Sequence, residues 1–338
     1  FYMPSVSATL TKHLEDISED LNENFFINDK SFIVDIGSND GTFLNSLKKF
    51  TNKILGIDPA KNLSDLANSK GINTLNDFFT NDLSIDISAE YGKADYIVST
   101  NTFAHTPKVN DFVKGLKNLL SQKGVIIIEI HYLGSMINDN SFDTIYHEHF
   151  SYWSLKNLND VFARFDLQIF DAKILPVHHG QLRIYISNNG NYDITDSYLN
   201  ILNNEIETDL LGKGLDKFCN DVKTIKKEIT HLFNKLSKEG KKIYGYGAPA
   251  KASTLINFIG AENIEEIYDK SELKQGKYIP GTSIKIKDPI EILKDKPDYI
   301  FLFAWNFSDE IVDQLKEKYN FTGKIIIPIP KLKIIDMK

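Results

Sequence analysis

Short apolar runs, rich in β-branched residues, alternate with helical stretches along most of the first half of the chain. Four such runs occupy residues 31–36, 53–57, 94–98 and 124–130. They lack the period-2 alternation of apolar and polar residues that marks a half-buried strand. Continuous apolar runs are typical of parallel strands covered on both faces, so the pattern predicts an α/β fold. A helix should precede the first strand, because the apolar residues between Leu10 and Leu21 follow a helical spacing.

A pair of antiparallel strands and a long helical stretch are predicted next. Two apolar runs, residues 167–170 and 181–186, are separated by a short Pro/His/Gly stretch, which is typical of an antiparallel pair. Residues 194–238 are polar and have helical spacing, so they predict a helical connector. Its first apolar face is expected to contain Leu199, Leu202, Ile206 and Leu210.

A second, smaller α/β unit is predicted after this connector. Its strands are expected at residues 242–246, 264–268, 298–303 and 324–327, and the last of them should end the sheet. We therefore divide the chain into a helical segment at residues 1–30, a first α/β domain at 31–193, the connector at 194–238 and a second α/β domain at 239–338. The last part is long enough for one small core.

Charge and composition exclude several classes of protein. The 338 residues include 39 Lys and Arg against 46 Asp and Glu, a net charge of −7, which argues against a nucleic-acid binder. One cysteine, Cys219, excludes a disulfide framework and any CxxC zinc site, so we expect a reducing, cytoplasmic setting. Apolar runs of strand length and the lack of a signal peptide predict no membrane association.

The loop after the first predicted strand has the composition of a cofactor site. Gly37 and Gly41 allow close backbone approach and positive φ, at the carboxyl end of a parallel strand. Asp35 and Asp40 would repel a pyrophosphate and suit a cofactor with a cationic or amino-acid end. Asp58, at the end of the second strand, can accept hydrogen bonds from both ribose hydroxyls. This pairing indicates S-adenosylmethionine (SAM); the alternative is a glycine-rich turn with surface acids.

Histidines are concentrated in one part of the chain. Six of the eight lie between residues 105 and 179, and the densest patch is 142–152, which follows the 124–130 strand. A metal site is one interpretation, although His147-Glu148-His149 lacks the His-Glu-x-x-His spacing. Hydrogen-bonded structural histidines are a second. The third is general acid–base catalysis near neutral pH, in which Tyr146 could donate to a developing oxyanion.

Several motifs together resemble a known enzyme family. They are residues 35–44, 101–105, 142–152, 245–251, 273–282 and 304–307. They are similar to the SAM-dependent C-methyltransferases of nucleotide-linked deoxysugars, most of all to C-3'-methyltransferases acting on dTDP-4-keto sugars. The resemblance implies a class I SAM-methyltransferase Rossmann-like sheet and a second, C-terminal Rossmann-like α/β domain that binds the sugar nucleotide. The family usually begins with a cysteine-rich zinc module; this chain lacks it, so no metal is expected.

The resemblance also implies roles for individual residues. His149 would be the base that removes the proton next to the 4-keto group, and Tyr146 would position the sugar or stabilise the enolate. Glu148 and His105 would have supporting roles. His131 and the pair His178-His179 stand where the family usually has other residues, and both could line the sugar pocket.

The predicted binding residues form two sets. The cofactor set comprises Asp35, Gly37, Asn39, Asp40, Gly41, Asp58, Asp77, Phe78 and Asn101. The substrate set comprises Tyr2, His131, Tyr132, His147, His179, Lys251 and Asn306. Lys251 would meet a phosphate at a helix N-terminus, and Asp269 ends the next strand as a ribose-binding acid would.

The predicted activity is transfer of a methyl group from SAM to carbon, after deprotonation next to the ketone of a nucleotide-linked 4-keto-deoxysugar. The predicted partner is a nucleotide-diphosphate sugar, with no nucleic acid, no membrane and a monomeric state. Two alternatives remain: a SAM-dependent O- or N-methyltransferase of another small molecule, and a non-catalytic sugar-nucleotide-binding protein.

Overall fold

The computed structural model describes Ser5 and residues 8–175, 180–260 and 262–337. The chain forms two compact units. The first unit comprises residues 1–133 and 150–207, and the second comprises residues 134–149 and 208–338. The sequence places residues 134–149 in the first α/β domain, 31–193. In the structure, this segment belongs to the second unit.

A mostly parallel sheet forms the centre of the first unit. Its strands are β1 (Ile33–Ile36), β2 (Ile54–Ile57), β3 (Thr74–Leu75), β4 (Ala94–Thr100), β5 (Leu120–His131), β6 (Leu167–Leu175) and β7 (Gln181–Asn188). Among the described residues the order is β3-β2-β1-β4-β5-β7-β6. Strand β7 is antiparallel to both neighbours, and the other pairs are parallel. The parallel strands and the antiparallel pair predicted from the sequence are confirmed.

Helices cover both faces of this sheet. They are α1 (Ala8–Phe25), α2 (Thr42–Leu47), α3 (Lys61–Ser69), α4 (Asn81–Tyr91), α5 (Val109–Leu119), α7 (Leu155–Ala163) and α8 (Asp196–Glu207). Neighbouring residues of β1 point to opposite faces: Ile33 shares a core with Leu21 of α1, and Val34 shares another with Leu116 of α5. Burial on both faces explains why the sequences of these strands are continuous apolar runs.

The second unit contains a second α/β sheet. Its strands are β8 (Ile243–Tyr246), β9 (Ile267–Tyr268), β10 (Ile286–Lys287), β11 (Tyr299–Leu302), β12 (Lys324–Ile327) and β13 (Lys333–Asp336). Its helices are α6 (Leu133–Asn138, of which Leu133 belongs to the first unit), α9 (Leu215–Lys238), α10 (Ala250–Ile259), α11 (Ile292–Asp295) and α12 (Ser308–Glu317). The described strands are ordered β10-β9-β8-β11-β12-β13, and β13 is antiparallel.

Two sequence predictions are wrong in this part of the chain. Strand β12 does not end the sheet, because β13 pairs with it along four residues. The predicted apolar face of the connector is wrong at two of its four residues: Leu199 and Ile206 are exposed, whereas Leu202 packs against the core and Leu210 is buried. Helix α8 instead buries Tyr198 and Glu205. The helical nature of the connector is confirmed, and α8 and α9 belong to different units.

The carboxyl ends of the parallel strands gather the loops that carry the candidate residues. In the first unit these are the loops after β1, β2 and β4, and in the second unit the loops after β8, β9 and β11. Open α/β sheets bind their ligands at this edge. None of the described helices is both long enough and apolar enough to cross a bilayer.

Candidate active site

The loop of residues 37–41, which we call the cofactor loop, is tied to the end of β2. The N–H of Gly37 donates to the carbonyl of Ile57 at 2.8 Å. The carboxylate of Asp58 accepts from the N–H of Asn39 at 2.9 Å and from the N–H of Ala60 at 2.8 Å. Each carboxylate oxygen has a second lone pair, so Asp58 keeps the capacity to accept from a ligand hydroxyl. The loop and the acid are thus one structural element, as their separation in the sequence predicted.

The two glycines of this loop are required by the neighbouring side chains. Gly37 and Gly41 have φ values of 79° and 77°. A Cβ on Gly37 would overlap Oγ1 of Thr102, and one on Gly41 would lie 3.1 Å from Ile72. The sequence predicted that these glycines let a ligand approach; the structure shows that they let the loop pack against Thr102 and Ile72.

Asp35, on β1, and Asp40, in the cofactor loop, have opposite electrostatic surroundings. Burial, and secondarily the negative charge of Asp58, raise the pKa of Asp35 to about 8. No hydrogen bond or ion pair to the Asp35 carboxyl is present among the described residues. For Asp40, burial raises the pKa, but hydrogen bonds from Ser5 and Thr42 and the charge of Lys70 outweigh it and lower the pKa overall. Asp35 is therefore the carboxyl that a ligand cation would stabilise most.

Three further residues of the cofactor set lie on nearby loops. Asn101, at the end of β4, has a φ of 55°, and its side-chain oxygen accepts from Nε2 of Gln181. Asp77 is exposed and accepts the N–H of Phe78 at 2.7 Å, and the Phe78 ring is 70% exposed. An exposed ring is available for stacking on a planar base.

These residues fit SAM. The cation and amino-acid end of SAM suit the buried, unpaired carboxyl of Asp35, and its ribose hydroxyls suit Asp58 at the end of the second strand. The acidic loop would disfavour a dinucleotide pyrophosphate. Asp35, Asp58 and the cofactor loop are the residues that would hold it.

The histidine predicted as the base lies on residues 134–149 of the second unit. Nδ1 of His149 lies 3.0 Å from the carbonyl of Thr144, which only accepts, so Nδ1 carries the proton. In the neutral form of this tautomer, Nε2 is the basic nitrogen. The ring of Tyr146 lies 4.3 Å from that of His149, centroid to centroid. His147 and Glu148 are exposed.

The chain returns to the first unit directly after His149. Phe150 donates its N–H to the carbonyl of Ala104 at 2.9 Å. The next residue after Ala104 is His105, which is exposed at the end of a short 3₁₀ turn, Phe103–His105. The sequence predicted His105 as an active-site residue. It is the residue after Ala104, whose carbonyl accepts the N–H of Phe150.

A buried ionic cluster in the second unit was missed by the sequence analysis. Asp143 is fully buried on the 3₁₀ turn Phe142–Thr144, and its Oδ2 accepts from Nε1 of Trp305 at 2.6 Å. Nζ of Lys251 lies 3.4 Å from the same oxygen and 4.1 Å from the centre of the Trp305 ring. Burial raises the pKa of Asp143 and lowers that of Lys251. Both Asp143 and Trp305 lie within family motifs, which was the available signal.

The loop after β8 repeats the hydrogen bonding of the cofactor loop. Gly247, with a φ of 84°, donates its N–H to the carbonyl of Tyr268 at 2.7 Å. Asp269, at the end of β9, accepts from the N–H of Ala248 at 2.6 Å and from that of Ser271 at 2.8 Å. Two of these three bonds match those of the first unit: the glycine N–H to the strand-end carbonyl, and the bond to the acid from the N–H two residues after it. The third donor differs by one position, since Ala248 directly follows Gly247 whereas Asn39 lies two residues after Gly37.

The remaining predicted residues are dispersed. Tyr132 is only 5% exposed, and its hydroxyl donates to Glu205 at 2.9 Å. His131 ends β5, and Asn306 lies on a 3₁₀ turn after β11. Tyr2 and His179 lie outside the described residues. Within the described residues, no group of three or more His, Cys, Asp and Glu side chains is placed to hold a metal ion.

Comparison with known proteins agrees with this geometry. Residues 10–172 match the family described as "Methyltransferase domain", and residues 176–330 match "C-methyltransferase C-terminal domain". The C-methyltransferase NovU of Streptomyces niveus is 30% identical over 338 residues, covering 99% of this chain and 80% of NovU.

Solved methyltransferase structures resemble part of the chain. A SAM-dependent methyltransferase from Anabaena variabilis is 18% identical with a TM-score of 0.43, over 52% of this chain and 84% of that one. A SAM-dependent methyltransferase from Clostridium acetobutylicum is 12% identical with a TM-score of 0.43, over 53% of this chain and 92% of that one.

The strand order of the first sheet and the cofactor loop joined to Asp58 define a class I SAM-dependent methyltransferase. With the match of the later residues and the relationship to NovU, the chain belongs to the C-methyltransferase family.

Proposed function

We propose that the protein methylates a ring carbon next to the ketone of a nucleotide-linked 4-keto-deoxysugar. The observation that carries this proposal is the repeated glycine–acid arrangement in the second unit, at Gly247 and Asp269. The first arrangement suits the adenosine of SAM. A second one suits a second nucleoside, which a sugar nucleotide has and a simple small molecule lacks.

A carbon nucleophile requires removal of a proton next to the ketone. His149 is proposed as the base, because the Thr144 carbonyl favours the tautomer with the proton on Nδ1, in which Nε2 is the basic nitrogen. Tyr146, whose ring lies tilted against that of His149, would orient the sugar or donate to the developing enolate oxygen. Glu148 and His105 would support this arrangement.

The step balances without a further reactant. The C–H bond breaks, its proton goes to Nε2 of His149, and the electron pair becomes the enolate. Bound SAM supplies the electrophilic sulfonium methyl group. The new C–CH₃ bond forms as the S–CH₃ bond breaks, which leaves S-adenosylhomocysteine.

The nucleotide's phosphates are proposed to bind at the N-terminus of α10. The first turn of this helix contains no acidic residue, and it begins directly after Gly247 and Pro249. Lys251 lies in the same turn, and its ammonium, which also pairs with Asp143, is proposed to contact the phosphates. His131, His147 and Asn306 are proposed to contact the sugar nucleotide; a monomeric state and a cytoplasmic location stay predictions.

Proton exchange in the absence of methyl transfer tests the base. The wild-type protein, incubated in D₂O with S-adenosylhomocysteine and a dTDP-4-keto-6-deoxyhexose, should incorporate deuterium next to the ketone. His149→Asn should retain its fold and SAM binding and lose at least about 10²-fold in exchange and in kcat, as is usual when a general base is removed. His231→Asn makes the same change at an exposed histidine of α9 that belongs to none of the predicted site sets, and it is the matched control.

The alternatives predict different outcomes. An O- or N-methyltransferase would not exchange a C–H proton, and a non-catalytic protein would neither exchange nor methylate. Exchange by His149→Asn at the wild-type rate would place the base elsewhere, with Tyr146 and His105 as the next candidates.

A further inference from the structure

Asp143 connects residues 134–149 to two loops of the second sheet. Its Oδ2 contacts Trp305 Nε1 at 2.6 Å and Lys251 Nζ at 3.4 Å. Trp305 follows β11 and Lys251 lies in the first turn of α10, so a single carboxylate meets groups from two neighbouring strand ends. Packing supports the same attachment: the ring of Phe142 lies 5.0 Å from that of Phe258 on α10.

The turn that carries Asp143 also holds the predicted base. Thr144 is the next residue, and its carbonyl is the group that lies 3.0 Å from Nδ1 of His149. The turn itself is closed by the N–H of Ile145, which donates to the carbonyl of Phe142 at 3.0 Å. A displacement of Asp143 would therefore displace the carbonyl that orients the His149 ring.

The contacts of Asp143 with Lys251 and Trp305 hold its side chain in one position. Asp143 is fully buried and Lys251 is only 14% exposed on its side chain, so each charge needs the other. The Lys251 ammonium is further held over the Trp305 ring at 4.1 Å. Loss of one member leaves a buried group without its partner, and a movement of the turn that brings another partner or water to that group would relieve the cost.

We propose that Asp143 is a positioning residue for catalysis: through its turn it sets the place and ring orientation of His149. The inference rests on the proposed function, because it takes His149 as the base. It assigns to the Asp143–Lys251–Trp305 cluster a role in proton abstraction, in addition to packing.

Asp143→Asn is the direct test. The amide keeps the size of the side chain and an oxygen for the Trp305 N–H, and loses the charge that faces Lys251. We expect the exchange rate at saturating sugar nucleotide to fall at least about tenfold, which is part of the factor that a general base contributes. The Kd for SAM should be unchanged. The acidic limb of the pH–rate profile should move to lower pH, because a displaced Thr144 carbonyl no longer stabilises the protonated ring.

Two further variants complete the experiment. Asp139→Asn makes the same chemical change four residues earlier in the same segment, outside the cluster, and should leave rate and profile unchanged. Trp305→Phe keeps a ring under Lys251 and removes the N–H that Asp143 accepts, so it should lower the exchange rate in the same way. It also serves as the test if Asp143→Asn does not fold.

The outcomes separate this inference from the proposed function. If His149→Asn is inactive while Asp143→Asn keeps the wild-type rate per folded molecule and the wild-type profile, the positioning role is wrong and the base stands. If Asp143→Asn only lowers the melting temperature, the cluster is structural and the inference is overturned. If His149→Asn exchanges normally, the proposed base is itself wrong.

Discussion

Binding of SAM should release a proton from Asp35. Burial, followed by the charge of Asp58, raises the pKa of the Asp35 carboxyl to about 8. At pH 7 a group with this pKa is about 90% protonated. A cation placed beside it favours the carboxylate, and SAM carries both a sulfonium and an ammonium group. Binding at pH 7 should therefore release close to one proton per SAM.

The sign of the pH dependence follows from the same pKa. Below about pH 8 the free protein holds a proton that the complex must lose, so the affinity for SAM falls as the pH falls. Well below that pKa the loss approaches tenfold, or about 1.4 kcal/mol, for each pH unit. Above it, Asp35 is ionised in both states and makes no further contribution.

Titration calorimetry in two buffers measures this release directly. At pH 6.5 to 7, the difference between the heats in Tris and in phosphate, divided by the difference in the buffers' ionisation enthalpies, gives the protons released. Asp35→Asn is the matched control, because it is isosteric and retains any titration of the ligand itself. Heats that do not depend on the buffer, or equal proton release from the variant and the wild type, would refute the coupling.

Three further predictions concern residues of the proposed cofactor and phosphate sites. Asp58→Ala should weaken SAM binding by about 1–3 kcal/mol, because the carboxylate that holds the Asn39 N–H is lost; an unchanged Kd would contradict its assignment. Gly37→Val should abolish SAM binding and lower the melting temperature through its clash with Thr102, whereas Gly190→Val, at a similar φ but in open space, should keep SAM binding. Lys251→Ala should raise the KM for the sugar nucleotide and spare that for SAM, and it should also lower kcat because Asp143 loses its partner. An equal effect on the two KM values, or no effect on either, would remove its phosphate role.

The strands were predictable where both faces are buried. The run that becomes β5 is apolar from Val125 to Ile128 because its neighbours on both faces are core residues. Strand β13 gave no such pattern: it lies at the sheet edge, and most of its residues are exposed. The apolar spacing of α8 was misleading, since this helix buries the charged Glu205, which accepts the N–H groups of Leu155 and Lys156 and the hydroxyl of Tyr132.

Contacts of the candidate site could be predicted where the two hydrogen-bonded residues are close in the sequence, and not where they are far apart. Asp58 could be assigned because its loop partner Asn39 is 19 residues away, across one strand–helix–strand unit. Asp143 and Trp305 are 162 residues apart, and the relation between them appears only in the folded chain. The sequence places Asp143 and Trp305 in two separate motifs, and nothing in either motif predicts that the two side chains are in contact.

The two glycine–acid arrangements share two of their three hydrogen bonds and differ in charge. Two residues before the glycine, the first unit has Asp35 and the second has Gly245. Three residues after it, the first has Asp40 and the second has Ala250, followed by Lys251. A similar backbone arrangement thus carries acids where a cationic, phosphate-free cofactor is expected and a lysine where phosphates are expected. This difference in charge is the property that would direct SAM to one unit and the nucleotide diphosphate to the other.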